Sequence, residues 1–373
     1  MSRPAPTLPA FTLPAVTLAG ACRAVAATAI AGALAWGVAA PAQAAECEDV
    51  RLMYSRWVPP THQSVPYLED WFKQVSDATE GRVTIGTLPK PLGKPQAHFD
   101  LVKAGTVDFT VINNSYTPGR FVAEAGAELP FTGNLAGPTS IAFWRAYEKF
   151  LKPAGDFEGV KLLALSAQTG GDLWLKNKSF SGIDDLNGLK VRVAGTVTPK
   201  VADALGMVGV LKPITEVYEM LSAGIIDGIF TIPEGIMSFK LEGQVDNVVR
   251  VPGGFYRLTS AIIMSERKWN EICAKDQAAI DAIAGEELSW LYAHNTYDLG
   301  NEKAVGVLDK AGVKVIEADA ATVSAMRQRL AGIEQEWIAE LKAERGMDNG
   351  AEILDYLRQE ADKVAAERAK AGG

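Results

Sequence analysis

Short apolar runs alternate with segments of helical periodicity along most of this 373-residue chain, and that alternation narrows the fold more than any other feature. "VRLMYSRW" reads as a first strand running to Trp57, then a Pro-Pro turn with Thr61 placed to cap the next helix. In that helix Leu68, Trp71, Phe72 and Val75 recur at helical spacing, and Gly81 stops it. "RVTIGTLP", "DFTVI" and "GVKLLALS" are further strands, with helices "QAHFDLVKAG" and "GPTSIAFWRAYEKFL" between them. After Gly170 the cycle restarts. "DLWLKN", "KVRVAG", "GIFTI", "DNVVRVP" and "FYRLTSAIIMS" read as strands. "TPKVADALGM" and "ITEVYEMLSAGIID" read as helices, the latter with Thr215 as its cap. Beyond Trp269 the pattern is mostly helical, with a long segment from Asp276 to Lys310, a short strand "VKVIEA" and two closing amphipathic helices. Alternation of this kind predicts an α/β architecture with helices on both faces of a sheet. Two cycles without a linker predict two lobes with the chain crossing between them more than once.

The first residues predict export. "AVAATAIAGALAWGVAA" is apolar and uncharged, Arg3 and Arg23 precede it, and "PAQA" follows with Ala42 and Ala44 around Gln43. That order is the secretory pattern, with cleavage expected after Ala44 and a periplasmic destination. Loss of residues 1–44 takes two arginines and no acid, so the net charge moves from −8 to −10. Such acidity argues against nucleic-acid binding. Two cysteines, Cys47 and Cys273, remain after cleavage and could pair in an oxidising compartment, though spacing alone does not join them. The three histidines show no metal-ligand spacing. No nucleophile elbow, Walker loop or strand-linked dinucleotide motif is present, so catalysis and a cofactor have no positive support.

In open α/β sheets, ligands bind beyond the carboxyl ends of the strands. Five stretches fall there: "SRW" with Arg56 and Trp57, "NNSY" with Asn113, Asn114 and Tyr116, "RVAG", "FTIP" with Phe230 and Thr231, and "GFY" with Phe255 and Tyr256. Arg192 is the most demanding of these residues. It interrupts the apolar run Leu189, Val191, Val193, and a buried guanidinium without a partner is very costly. Its rigid fork of donors suits a ligand carboxylate. A structural salt bridge to Asp184, Asp185 or Glu216 is the alternative, and the residues alone leave both open. The asparagines and tyrosine suit ligand hydroxyls or carbonyls, or a plain turn. The aromatic residues suit a pocket wall, or the core.

The stretch "DLNGLKVRVAGTVTPKVADALGMVGVLKPITEVYEMLSAGIIDGI" resembles the signature of DctP-type solute-binding proteins of TRAP transporters. Leu186, Gly188, Leu189, Lys190, Arg192, Val193, Leu205, Gly206, Glu216, Val217, Tyr218, Leu221, Gly224, Asp227 and Gly228 match that signature in order. "HFDLVKAGTVDFTVIN", "YTPGRF", "ELPF" and "SFKL" extend the resemblance over nearly the whole chain. The resemblance implies a two-lobed periplasmic substrate-binding-protein fold of the α/β class, with a long helix spanning both lobes. Lobe I is expected to comprise 45–169 plus 256–298, and lobe II 170–255 plus 299–373. It implies no enzymatic reaction and no cofactor. It implies capture of a small carboxylate ligand and delivery to the small and large membrane subunits of the transporter, by a monomer or else a dimer. It also implies that Arg192 meets the ligand carboxylate.

The chain departs from the family pattern in places. Ala194 stands where proline is usual, and Ile214 and Thr215 replace an aromatic or methionine before "EVY". Thr231 takes the place of an asparagine. Near "GGDLW" the chain has Asp172 and Trp174 but no second arginine; Arg56 is a candidate substitute. These changes predict a more apolar cleft, suited to a monocarboxylate, an oxo-acid or an aromatic acid, with a C4-dicarboxylate as the alternative. A binding protein of an ABC importer, an exported enzyme and a sensory partner are the competing classes.

Overall fold

The computed structural model describes residues 47–371 apart from 134, so the expected leader, 1–44, lies outside the described residues. Among the described residues eleven strands form: β1 (Val50–Tyr54), β2 (Val83–Thr87), β3 (Phe109–Asn113), β4 (Val160–Ala167), β5 (Asp172–Leu175), β6 (Lys190–Val193), β7 (Val208–Leu211), β8 (Gly228–Thr231), β9 (Asn247–Arg250), β10 (Thr259–Ser265) and β11 (Lys314–Glu317). They make two sheets, ordered β2-β1-β3-β10-β4 and β11-β9-β5-β8-β6-β7. β3, β5, β8 and β10 are buried along their whole length. That is the mark of strands covered on both faces, which is why their sequences run apolar rather than alternate.

Each sheet takes one strand from a crossing between the two halves. β4 leads across to β5, which lies antiparallel to β8 and β9. β9 leads back to β10, which lies antiparallel to β3 and β4. The two crossing segments pair with each other. Gly171 N donates to the Tyr256 carbonyl at 2.7 Å, and Phe255 N and Gln168 N donate to the Gly171 and Leu258 carbonyls, each at 2.9 Å. The approach is so close that a Cβ on Gly170 would stand 2.9 Å from the Gly253 carbonyl oxygen. Arg257, fully buried, pins this region by donating to the carbonyls of Gly133, Leu135 and Gln168.

A helix provides the third crossing. It runs unbroken from Gly285 to Ala311, with a π-turn at His294–Asp298 in its middle. Its first half packs on β4 and on helix Ala136–Ala146; its second half packs on helix Pro233–Ser238. At 1.5 Å per residue it spans about 40 Å. At the π-turn, Asp298 accepts from the N–H groups of Ala136 and Gly137 and so caps the neighbouring helix. Helix Gly350–Ala371, after β11, returns to pack on Ala136–Ala146, where Arg145 pairs with Glu286 and Glu360.

Several local expectations change. β1 ends at Tyr54, so Ser55–Trp57 form a loop instead of strand; Pro59 and Pro60 follow and cannot extend a ladder. The first helix starts at Ser64 and not after Thr61, because the His62 ring, through Nδ1, accepts from Ser64 N at 3.2 Å and takes the capping role. Thr215 caps nothing; Ile214–Glu216 is a 3₁₀ turn leading into helix Val217–Ser222. β7 was not legible, since it is an edge strand with exposed Val208 and Leu211 and no alternation. Three helices close the chain instead of two: Ala320–Leu330, Gly332–Arg345 and Gly350–Ala371. Leu68, Trp71, Phe72 and Val75 do face the core, each side chain contributing roughly 1.5–3 kcal/mol. Cys47 and Cys273 form a disulfide across a sequence separation of 226. No described helix is long and apolar enough to cross a membrane.

Candidate functional site

The strand ends of both sheets meet at a small enclosed space of about 40 Å³. Six of the twelve residues singled out at strand ends or by the family pattern line it: Trp57, Asn113, Tyr116, Arg192, Ile214 and Thr231. Trp57, Asn113 and Tyr116 come from the first half; Arg192, Ile214 and Thr231 come from the second.

Arg192 is 1% exposed, and no carboxylate pairs with it among the described residues. Asp184 lies 3.8 Å from Arg329, Asp185 accepts from Ser181, and Glu216 pairs with Lys212. The salt-bridge alternative is therefore excluded. Arg192 Nε donates to the Lys212 carbonyl at 2.6 Å, which fixes the plane of the fork. Its two terminal nitrogens have only long contacts, 3.4 Å to the Phe230 carbonyl and 3.4 Å to Tyr116 Oη. Neutral partners at that distance satisfy a buried cation poorly. Tyr116 Oη also accepts from Ile214 N at 3.3 Å, so this one hydroxyl joins the two halves beside the guanidinium.

Asn113 closes a tight turn. Its Oδ1 accepts from Ser115 N at 3.0 Å, while its Nδ2 has no partner among the described residues. Trp57 Nε1 donates to the Val111 carbonyl at 2.8 Å, which holds the indole as an apolar wall. Beneath the turn, Glu128 accepts from Ser115 Oγ, Thr259 Oγ1 and Thr259 N. Burial pushes its carboxyl up to about 7 despite those donors.

Other expected residues sit elsewhere. Asn114 is buried and turns its Nδ2 to Thr259 Oγ1 at 3.3 Å. Arg56 does not line the space and stands 4.0 Å from Glu69. Trp174, Phe230, Phe255 and Tyr256 form core under the floor instead of wall. The rings of Phe255 and Tyr256 each centre 5.6 Å from that of Phe230, and Trp174 Nε1 holds the Thr231 carbonyl at 2.9 Å. The reason is parity: along β8, neighbours point to opposite faces, so Thr231 meets the space and Phe230 does not.

The sequence reading missed His62, Gln168, Glu234, Ser260, Tyr292 and Tyr297, all of which line the space. His62 and Glu234 face each other across the two halves, Nε2 to Oε1 at 3.5 Å. Burial holds the His62 imidazole below its ordinary value, and Glu234 partly offsets this. Tyr297 lies in the π-turn, with Ser260, Tyr292 and Gln168 as neighbours of its hydroxyl. Glu234 follows the end of β8 by three residues, and that proximity is the available signal; His62 lies eight residues beyond β1 and carries none.

The sequence profile of DctP, described as bacterial extracellular solute-binding protein, family 7, matches residues 54–340. This chain belongs to that family. Among solved structures, a TRAP periplasmic solute-binding protein from Bordetella bronchiseptica with bound (R)- and (S)-mandelate is 37% identical, with a TM-score of 0.81 over 84% of this chain and 99% of the other. A marine-metagenome TRAP solute-binding protein specific for aromatic acid ligands, in complex with metahydroxyphenylacetate, is 28% identical, with a TM-score of 0.78 over 85% of this chain and 99% of the other. An outer membrane transporter protein TsaT from Comamonas testosteroni is 26% identical over 87% of this chain and 95% of its own length. The two-lobed TRAP-receptor fold is thus the fold of this chain. Family 7 proteins are solute-binding proteins, and the buried, unpaired Arg192 lies within the matched span.

Proposed function

We propose that this protein is the extracytoplasmic receptor of a TRAP transporter for a small aromatic monocarboxylate, held between the lobes with its carboxylate on Arg192. The observation that carries this reading is the buried guanidinium with one firm carbonyl contact and two loosely held nitrogens. A ligand carboxylate supplies the missing anion, and a charge-assisted pair gains strength as the cleft excludes water. Asn113 Nδ2, from the other lobe, is a second donor for the same group. Trp57, Ile214, Leu258 and Phe239 supply an apolar surround for a ring. The mandelate and aromatic-acid ligands of the two similar structures favour the same ligand class.

On this reading the lobes divide at the paired crossings, 167–172 and 250–259, and the ligand draws them together by its greater affinity for the closed form. The leader, 1–44, directs export to the periplasm, and the loaded receptor delivers its ligand to the small and large membrane subunits without altering it. The test is a thermal-shift screen of refolded protein against carboxylic acids and their amides. At ligand about 100-fold above its dissociation constant, binding adds roughly 2.7 kcal/mol to the folded state. Aromatic acids are expected to raise the melting temperature, their amides are not, and Arg192→Ala should abolish the response. Equal shifts with acid and amide would overturn the arginine–carboxylate assignment.

A further inference from the structure

Resting on the aromatic-acid reading above, we infer that Glu234 makes the cleft select ligands with a hydrogen-bond donor away from the bound carboxylate, and reject a second carboxylate there. Glu234 is 2% exposed, yet it lines the same space as Arg192. It pairs with neither Arg192 nor any other arginine or lysine among the described residues; its one ionic neighbour is His62. Its Oε1 accepts from Ser238 Oγ at 2.5 Å and lies 3.5 Å from His62 Nε2. Among the described residues none hydrogen-bonds its Oε2.

The backbone around Glu234 is well fixed. It stands in the first turn of helix Pro233–Ser238, and its N–H donates to Asn301 Oδ1 at 2.8 Å. Asn301 in turn donates to Thr169 Oγ1 at 2.8 Å, so the spanning helix holds Glu234 against the crossing segment. His62 Nδ1 faces Ser64 N, which donates to it at 3.2 Å, and Ser64 Oγ at 3.0 Å, while Nε2 faces Glu234. Burial disfavours the charged imidazole, so His62 offsets the Glu234 carboxylate poorly.

The cleft accordingly has two poles: a guanidinium needing an anion, and a carboxylate oxygen needing a donor. A ligand hydroxyl or ammonium can hydrogen-bond this oxygen, whereas an apolar ligand atom placed there would bury it unpaired, which is costly. A ligand carboxylate in the same place would set two anions together in a dry site, which disfavours dicarboxylates.

The experiment is calorimetric titration of the purified protein with benzoate, the 3- and 4-hydroxybenzoates, 3-(aminomethyl)benzoate, isophthalate and terephthalate. At least one hydroxybenzoate should bind about ten- to hundredfold tighter than benzoate. The aminomethyl compound tells whether an ammonium serves as well as a hydroxyl. The two dicarboxylates should bind more weakly than benzoate. In Glu234→Gln, which keeps an acceptor oxygen but loses the charge, the dicarboxylate rejection should shrink toward one, and in Glu234→Leu the hydroxyl preference should shrink as well. Wild-type protein that binds a dicarboxylate as tightly as its hydroxybenzoate counterpart would overturn the inference, and that comparison needs no variant. A dicarboxylate rejection that persists in folded Glu234→Gln, or a hydroxyl preference that persists in folded Glu234→Leu, would also overturn it. Failure to bind any of these acids, benzoate included, would instead remove the aromatic-acid reading on which it rests.

Discussion

Gly195 is where a single methyl group would interfere with closure of the cleft. It follows β6 with φ +74°, and a Cβ there would stand 2.8 Å from Ser115 Cβ and 3.2 Å from Glu128 Oε2, both on the opposite lobe. Carbon–carbon contact needs roughly 3.5–4.0 Å, so Gly195→Ala forces the lobes apart at this point. Two costs follow, and they separate experimentally. The left-handed backbone conformation costs a non-glycine residue about 1–2 kcal/mol whether the lobes are open or closed. Overpacking costs about 1–3 kcal/mol, but only when they are closed. The first lowers the melting temperature of ligand-free protein. On the proposed reading, in which the ligand draws the lobes together, the second weakens binding about 5- to 150-fold. Gly188→Ala is the control: its φ is +76° and a Cβ there meets nothing within 4 Å, so it carries the backbone cost alone. Calorimetric titration with benzoate, together with small-angle scattering with and without ligand, reads both effects. If Gly195→Ala binds as tightly and compacts as fully as Gly188→Ala, the link between lobe contact and affinity is wrong.

Other outcomes follow from the same geometry. Tyr116→Phe removes the acceptor shared by Arg192 and Ile214, and should weaken ligand binding about five- to tenfold in titration calorimetry. Glu128 and Asp172 are both pushed by burial up to about 7, so the folded state holds their protons more tightly than the unfolded chain does. Their contribution is fully present below their unfolded pKa values, near 4, and is lost as pH rises through 7; melting temperature should fall across that window, and less steeply in Glu128→Gln. Cys47→Ser releases a closure spanning 226 positions and should lower stability by up to about 5 kcal/mol in urea unfolding, an effect reproduced by reductant on wild type.

Much of the scaffold was legible because its strands and helices bury apolar residues at their own periods. Leu68, Trp71, Phe72 and Val75 specified a helix face, and β10 stood out by its unbroken apolar run. Arg192 was legible for the opposite reason, as a charge where a core residue was due. Facing was harder. Phe230 and Thr231 are adjacent, and only the pairing of β8 with β5 and β6 decides which of them meets the cleft. Phe255 and Tyr256 lie at a crossing whose path depends on the other crossing, so local pattern could not exclude them from the wall. His62 and Glu234 escaped notice because each is an ordinary polar residue near a helix start. They become a pair only when two lobes from distant parts of the chain meet.

Four covalent crossings have a kinematic consequence. Two bodies joined by one strand can swing, slide and twist. Here a pair of hydrogen-bonded segments, a helix of about 40 Å and the C-terminal return onto helix Ala136–Ala146 join them, a set of links that opposes sliding and twisting more than rotation about one axis. On the proposed reading, opening is then expected to be close to a one-coordinate motion. One pair of spectroscopic labels, set across the line from Ser115 to Gly195, is enough to follow the whole of it.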